Sequence, residues 1–213
     1  MREKEQDPSR PALIFDLSEV ILTGLIGLDR KIEIKHGLKE GTVELNNSSL
    51  WELFRGEISE GDYIESLPLN KWGLKPEEFK TMLRQNFTSP YGTEEMIEEF
   101  KQKGYQLVLV TDHAKEWIEY LKQEYSEIFD LFDNIYVSAE YSVCKSDINV
   151  GSEGILSRVV NDLGSNRHLI FFDDSSKNVM RATEHGIAGM QFKGEWGGDI
   201  LRELISESEK SLY

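Results

Sequence analysis

Four short segments of this 213-residue chain set chemically capable side chains beside apolar runs. Asp16 closes the run Leu13-Ile14-Phe15. Thr111 and Asp112 follow Leu109-Val110. Lys145 stands in Val143-Cys144-Lys145-Ser146-Asp147, and Asp173-Asp174 follow Phe171-Phe172. Together they supply a carboxylate free to attack, a hydroxyl, an ammonium and an acidic pair, which are the parts of a phosphoryl-transfer site. The acids suit Mg2+, a hard cation that takes oxygen ligands and keeps several waters. Lys145 and the metal would offset the repulsion between an anionic nucleophile and an anionic phosphate.

These side chains meet only if their runs are neighbouring strands of one sheet. Residues 12–17 read as the first strand, an apolar stretch of the kind buried on both faces of a parallel sheet. Further strands are expected at 105–110, 134–138, 168–172 and 187–192. Helices fall between them. One spans Thr93 to Lys103 and stops at Gly104, and another carries Trp117, Ile118 and Leu121 on one face. Others are expected from Ser152 to Leu163, from Ser176 to His185, and from Asp199 to Tyr213. Such alternation implies a doubly wound α/β fold with a parallel sheet and right-handed crossovers. Open sheets of this kind collect their ligand sites outside the carboxyl ends of the strands.

From Gly24 to Phe87 the strand pattern is missing. Asn46-Asn47-Ser48-Ser49 reads as an N-cap ahead of Leu50-Trp51-Glu52-Leu53-Phe54. Gly56-Glu57-Ile58-Ser59 opens a second helix with Tyr63, Ile64 and Leu67 in line, and Pro76 opens a third with Phe79, Met82, Leu83 and Phe87 on one stripe. The expected organisation is a flexible tail over residues 1–10, an α/β core over 11–20 and 89–213 that resumes after the turn Ser89-Pro90-Tyr91-Gly92, and an all-helical insert over 21–88.

The net charge of −15 disfavours nucleic acid and anionic membrane as partners. The one cysteine, Cys144, excludes an internal disulfide and a cysteine-based zinc cluster and fits a reducing cytoplasm. No apolar run approaches a membrane span. The partner expected is a small phosphorylated molecule, with the protein a monomer or homodimer.

The four segments, in this order and spacing, resemble the motifs of the haloacid dehalogenase-like (HAD) hydrolases with a helical cap inserted after the first strand. Ile14-Phe15-Asp16-Leu17-Ser18-Glu19-Val20 matches the first motif and Leu109-Val110-Thr111-Asp112 the second. Lys145-Ser146-Asp147 matches the third, and Phe171-Phe172-Asp173-Asp174-Ser175-Ser176-Lys177-Asn178 the fourth. Arg55-Gly56-Glu57-Ile58-Ser59, Tyr125-Ser126-Glu127-Ile128 and Asp133-Asn134-Ile135-Tyr136-Val137-Ser138 also resemble the bacterial α-D-glucose-1-phosphate phosphatase branch. The resemblance implies a Rossmann-like core and Mg2+-dependent hydrolysis of small phosphomonoesters, sugar phosphates among them. Asp16 would be the nucleophile that forms an aspartyl-phosphate. Thr111 and Lys145 would bind the phosphate, with Asp112 in the same substrate-binding stretch. Asp16, the backbone carbonyl of Ser18 and Asp173 would hold the metal, with Asp174 in support.

Three positions depart from the family pattern. Ser18 occupies the place of the usual second aspartate, which protonates the leaving oxygen, and a serine has no useful pKa for that role. Ser146 replaces the usual Pro. Asp112 replaces the usual Asn, and it is expected to cap the helix that follows. Two other readings follow from these losses: a catalytically impaired module that binds a phosphorylated ligand or a protein, and a dehalogenase. His36, His113, His168 and His185 lack metal-ligand spacing. Trp51, Phe54, Phe79 and Phe87 are expected in the core of the insert.

Overall fold

Alternation of side chains along the inner, apolar strands of a five-stranded sheet builds two cores at once. In the computed structural model, which describes residues 10–89, 92–148, 151, 154–164 and 167–210, the strands are β1 (Ala12–Phe15), β2 (Gln106–Thr111), β3 (Asn134–Val137), β4 (Leu169–Asp173) and β5 (Ala188–Gln191). They form a parallel sheet in the order β3-β2-β1-β4-β5. Leu13, Phe15, Leu107, Leu109, Ile170 and Phe172 enter the larger core. Their alternate neighbours Ala12, Ile14, Val108, Val110 and Phe171 enter the smaller one. Period-two geometry sends successive side chains to opposite faces, so an unbroken apolar run needs cover on both.

Helices provide that cover. On the first face lie α6 (Thr93–Gln102), α7 (Lys115–Glu124) and α12 (Gly198–Lys210), through Met96, Ile97, Phe100, Trp117, Ile118, Leu121, Leu201 and Ile205. On the second lie α10 (Ile155–Leu163) and α11 (Ser176–Glu184), through Ile155, Leu156, Val159 and Ala182. Short helices α8 (Ser126–Phe129) and α9 (Ser138–Tyr141) flank β3. This is the doubly wound α/β architecture expected from the sequence. No helix among the described residues is long and apolar enough to cross a membrane.

Element edges move by one or two residues. β1 stops at Phe15: the Asp16 amide still bonds to the Phe172 carbonyl at 2.9 Å, but its carboxylate accepts the Leu17 amide and turns the chain. β2 gains Thr111, and Ser138 passes from the third strand to the start of α9. The expected start of the tenth helix at Ser152, the turn residues Pro90 and Tyr91, residues 1–9 of the expected tail and residues 211–213 of the last helix lie outside the described residues. Arg10, the last tail residue, lays its guanidinium over the Tyr105 ring at 4.8 Å.

Between β1 and α6 the chain forms α1 (Leu28–His36), α2 (Ser48–Phe54), α3 (Glu60–Ser66), α4 (Leu69–Trp72) and α5 (Pro76–Asn86). Local chemistry starts each of the three that the sequence marks. The Asn47 side chain accepts the Leu50 amide, Ser59 and Asp62 make a reciprocal capping box, and Pro76 opens α5. α3 thus begins at Glu60, later than the Gly56 start expected, because Ser59 is its cap. Gly56 instead sits at φ 68°, and a β-carbon there would lie 2.6 Å from the Ala139 carbonyl oxygen. Nearby, Ser138 Oγ donates to the Phe54 carbonyl at 2.6 Å and accepts the His113 amide at 2.9 Å. Gly56→Ala therefore meets a backbone clash and a left-handed φ together. It is expected to cost about 1–3 kcal/mol, read as a Tm lower by several degrees. An unchanged Tm would mean that the insert does not rest on this backbone.

Candidate active site

Sheet order decides which strand ends meet. β1 lies between β2 and β4, and the chain winds away from β1 in both directions, so the carboxyl ends of these three strands bound the crevice where such folds bind ligands. Asp16 follows β1, Thr111 ends β2 and Asp173 ends β4.

Lys145 comes to the same place from the segment after α9. It is 3% exposed, and its Nζ lies 2.7 Å from both Asp16 Oδ1 and Asp173 Oδ2, with the Val110 carbonyl at 3.3 Å. Asp173 is fixed further: its Oδ1 accepts the Ser175 amide at 2.9 Å and Asn178 Nδ2 at 3.1 Å. Asp16, Asp173 and Asp174 bring one carboxylate oxygen each to within 4.8 Å of one another. Five of the residues singled out from the sequence, Asp16, Thr111, Lys145, Asp173 and Asp174, are thus gathered at one edge.

The electrostatics of this edge are unbalanced. Burial pushes the Asp16 carboxyl up to about 8, with repulsion from Asp173 and Asp174 adding to it and Lys145 pulling the other way. Asp174 is pushed up to about 6 by burial first and by Asp173 second. Burial opposes the charge on Lys145, but attraction to Asp16, Asp173 and Asp112 outweighs it and raises the ammonium above its ordinary range. The lysine is held charged among more carboxylates than it can neutralise.

Two backbone details shape the loop after β1. Glu19 adopts φ 62°, uncommon for a residue with a side chain, and its carbonyl accepts the Gly194 amide at 2.8 Å. Its carboxylate folds back onto the Gly24 amide at 2.7 Å and is spent within its own loop. Ser18 pairs with Leu22 in an isolated bridge and lies tight against Gly24, where a β-carbon would come within 2.9 Å of the serine hydroxyl.

Asp112 departs from expectation. It does not cap the following helix: α7 begins at Lys115, behind Ala114, with no side-chain cap. Its Oδ1 accepts the Lys145 backbone amide at 2.9 Å. The two residues between Asp112 and the first turn of α7 carry it out of reach of the free amides, and the carboxylate pins the lysine loop instead. The Thr111 side chain is fully buried, and its hydroxyl has no hydrogen-bond partner among the described residues. His113 is buried among Phe54, Phe87 and Trp117. Burial pushes its imidazole down to about 3, so it stays neutral.

Two contributors escape the sequence reading. Asn178 lies inside the fourth segment and is 9% exposed, its amide spent on both oxygens of Asp173. Arg55, just past α2, makes a two-pronged ion pair with Asp147, Nε to Oδ2 at 2.9 Å, and so ties the insert to the lysine loop. Asp147 also accepts the Cys144 amide at 2.9 Å. The signal for Asn178 was its place one turn after Asp174. Arg55 and Asp147 are 92 residues apart and carry no local signal.

Above this edge opens a cavity of about 1040 Å³, bounded by the carboxylate cluster below and the insert above. Trp51 and Phe54, expected in the core of the insert, are half-buried and line it, whereas Phe79 and Phe87 are buried as expected.

No family model matches the chain, and no curated protein matches it. Solved structures do. A HAD family enzyme of Bacteroides thetaiotaomicron, solved as a magnesium complex, superposes with a TM-score of 0.65 at 17% identity over 87% of this chain and 94% of its own. The same enzyme with magnesium and inorganic phosphate gives 0.59 at 17% identity, over 86% and 93%. A predicted HAD-like family hydrolase of Porphyromonas gingivalis gives 0.65 at 17% identity, over 92% and 98%. The fold of this chain is that of the HAD-family hydrolases.

Proposed function

We propose that this chain, built on the fold it shares with HAD-family hydrolases, is a Mg2+-dependent hydrolase of small phosphomonoesters. The observation that carries the reading is the convergence of Asp16, Asp173 and Asp174 around the buried ammonium of Lys145 at the carboxyl edge of the sheet. The residues fit the metal. Three oxygen donors share one site, and carboxyl groups raised first by burial and then by their acidic neighbours are groups whose charged form a divalent cation stabilises. Asp16, Asp173, Asp174 and the Ser18 carbonyl would hold Mg2+. When bound, it supplies positive charge to phosphate oxygens and to the acids alike.

The chain's own groups then divide the work. An Asp16 oxygen attacks phosphorus in line, the ester P–O bond breaks, and the phosphoryl group rests on Asp16 until water hydrolyses the aspartyl-phosphate. Lys145 keeps its charge and balances the phosphoryl oxygens, while Asp173, held by Asn178 and the Ser175 amide, keeps the lysine in place. The Thr111 hydroxyl, unpartnered but fully buried at the end of β2, would donate to a phosphate oxygen once its side chain turns toward the cavity. Asp112 contributes by fixing the Lys145 backbone beside the substrate. The helices of residues 21–88 serve as a cap over the core of 11–20 and 89–213, excluding water and selecting the leaving group. An acidic, reduced-thiol protein of this kind belongs in the cytoplasm.

No side chain at position 18 protonates the leaving oxygen, so that proton comes from water and turnover is slow. Ser18→Asp is expected to raise phosphate release about tenfold or more, since a positioned general acid contributes ~100-fold and upwards in sites that have one. The function itself is tested by adding Mg2+ or a chelator to the pure protein and measuring phosphate released from a panel of monoesters. Release with Mg2+ that the chelator abolishes is expected. Ser18 favours one rival, a module that binds a phosphorylated ligand without turnover. It predicts a ligand-dependent rise in Tm and no phosphate.

A further inference from the structure

The cavity above the acids is built for a particular kind of leaving group. Its walls on the insert side come from Leu25, Val43, Leu45, Leu50, Trp51 and Phe54. Trp51 and Phe54 meet edge to face at 5.8 Å, a rigid aromatic corner half open to the cavity. Two further lining residues, Ile26 and Ile148, are large and apolar yet 67% and 65% exposed. Isoleucines left in solvent beside an apolar cavity gain by covering an apolar occupant.

The polar lining says what is not accommodated. Asp29, Glu44 and Asn46 are exposed at the rim. Of the lining cations, Arg55 is committed to Asp147 and Lys145 to Asp16 and Asp173. Lys177, exposed on α11, stands near enough to Asp147 to lower that carboxyl. On the insert wall a leaving group with a second phosphate or carboxylate would meet Asp29 and Glu44, and the arginine there is committed to Asp147; Lys177 stands on the core side, by the phosphate end. A polyol would give up hydration of each hydroxyl against apolar carbon, a cost no buried polar group on that wall returns.

We propose that the substrate is the phosphate monoester of an uncharged, largely apolar alcohol with a ring or branched-carbon body, in preference to the sugar phosphates that the resemblance implies. This rests on the hydrolase reading of the site and narrows it to one chemical class. Apolar pockets discriminate by matching carbon surface, and each buried methylene changes affinity severalfold. Polar-lined sugar sites instead hold their ligands by hydrogen bonds.

The test compares two esters of primary alcohols with the same ring size, cyclohexylmethyl phosphate and glucose 6-phosphate, assayed with Mg2+ for kcat/KM. Calorimetric Kd values for their non-hydrolysable phosphonate analogues are measured alongside. A preference of at least tenfold for the cyclohexyl compound in both readings is expected, carried by KM, and it should fall in Trp51→Ala. Ile148→Ser, a change at an exposed side chain that leaves folding unaffected, should reduce it as well. Equal or better binding of the glucose analogue overturns the proposal. Absence of phosphate release from either ester and from acetyl phosphate defeats the hydrolase reading separately, because the Kd ratio still decides what the cavity prefers.

Discussion

Asp16→Asn is expected to reduce phosphate release by at least about a thousandfold while leaving the protein folded. An amide is the same size and shape as the carboxylate but does not displace at phosphorus. The structural cost is small for a definable reason. Asp16 is a buried carboxylate already pushed up to about 8, so its charge is a burden to the native state and not a support. Lys145 retains Asp173 at 2.7 Å after the exchange. Thermal unfolding should place the variant within a few degrees of the parent or above it, and parallel phosphate assays should find it inert. A variant with more than a tenth of the parental rate would remove Asp16 from the role of nucleophile.

Lys145→Met has the largest expected effect on stability, and it abolishes turnover too. Methionine fills the lysine's volume without its charge. Asp16 and Asp173 then remain buried with no cation, and breaking a buried pair from one side costs about 3–5 kcal/mol. The sign with pH follows from Asp16. Its pKa in the folded protein lies above the ordinary carboxyl value, so protonation favours the folded state, and the stability this gives is lost as pH rises through about 8. Removing the opposing pull of Lys145 raises that pKa further. The gap in unfolding free energy between parent and variant should therefore be wide at pH 8 and narrow towards pH 5. Urea denaturation at the two pH values measures it. A gap that stays constant or widens on acidification would show that Lys145 does not neutralise these acids.

The strands, and the convergence of their ends, were legible because they rest on local signals. An apolar run closed by a carboxylate is visible within ten residues, as at Leu13 to Asp16 and Phe171 to Asp174, and alternation with helices sets the strands parallel. What stayed hidden depends on contacts between distant segments. A carboxylate just after a strand has a standard local use as a helix cap, and that made Asp112 look like one. The Lys145 amide, 33 residues later, takes it instead. Asn178 looks like a solvated residue in the first turn of a helix until the fold places Asp173 beneath it. Trp51 and Phe54 follow the helical spacing of a packed face, and spacing does not say whether that face meets protein or an open cavity. Boundaries at β1, β2 and β3 moved because the last residue of a strand is decided by hydrogen bonds to its neighbour.

The chain leaves the sheet after Leu22 and returns at α6, and the two passages are fastened where they cross. The Thr23 amide bonds to the Thr88 carbonyl at 2.8 Å, the Thr88 amide returns to Thr23 Oγ1 at 2.8 Å, and Asn86 donates to the Gly24 carbonyl at 2.7 Å. Residues 65 positions apart in sequence are thereby held as closely as the two sides of a hairpin. For chain closure alone, the long excursion is equivalent to a short turn. Closure entropy grows only slowly with loop length, so residues added in the exposed turns beyond this fastening cost the strands little, provided the contacts that Gly56 and Arg55 make with the core are kept. The length of the exposed turns between Thr23 and Thr88 is thus free to vary while the strand ends stay where they are. A laboratory exchange of the segment between Thr23 and Thr88 therefore has to keep, besides closely spaced ends, the partners that Ser138, Ala139 and Asp147 find in it.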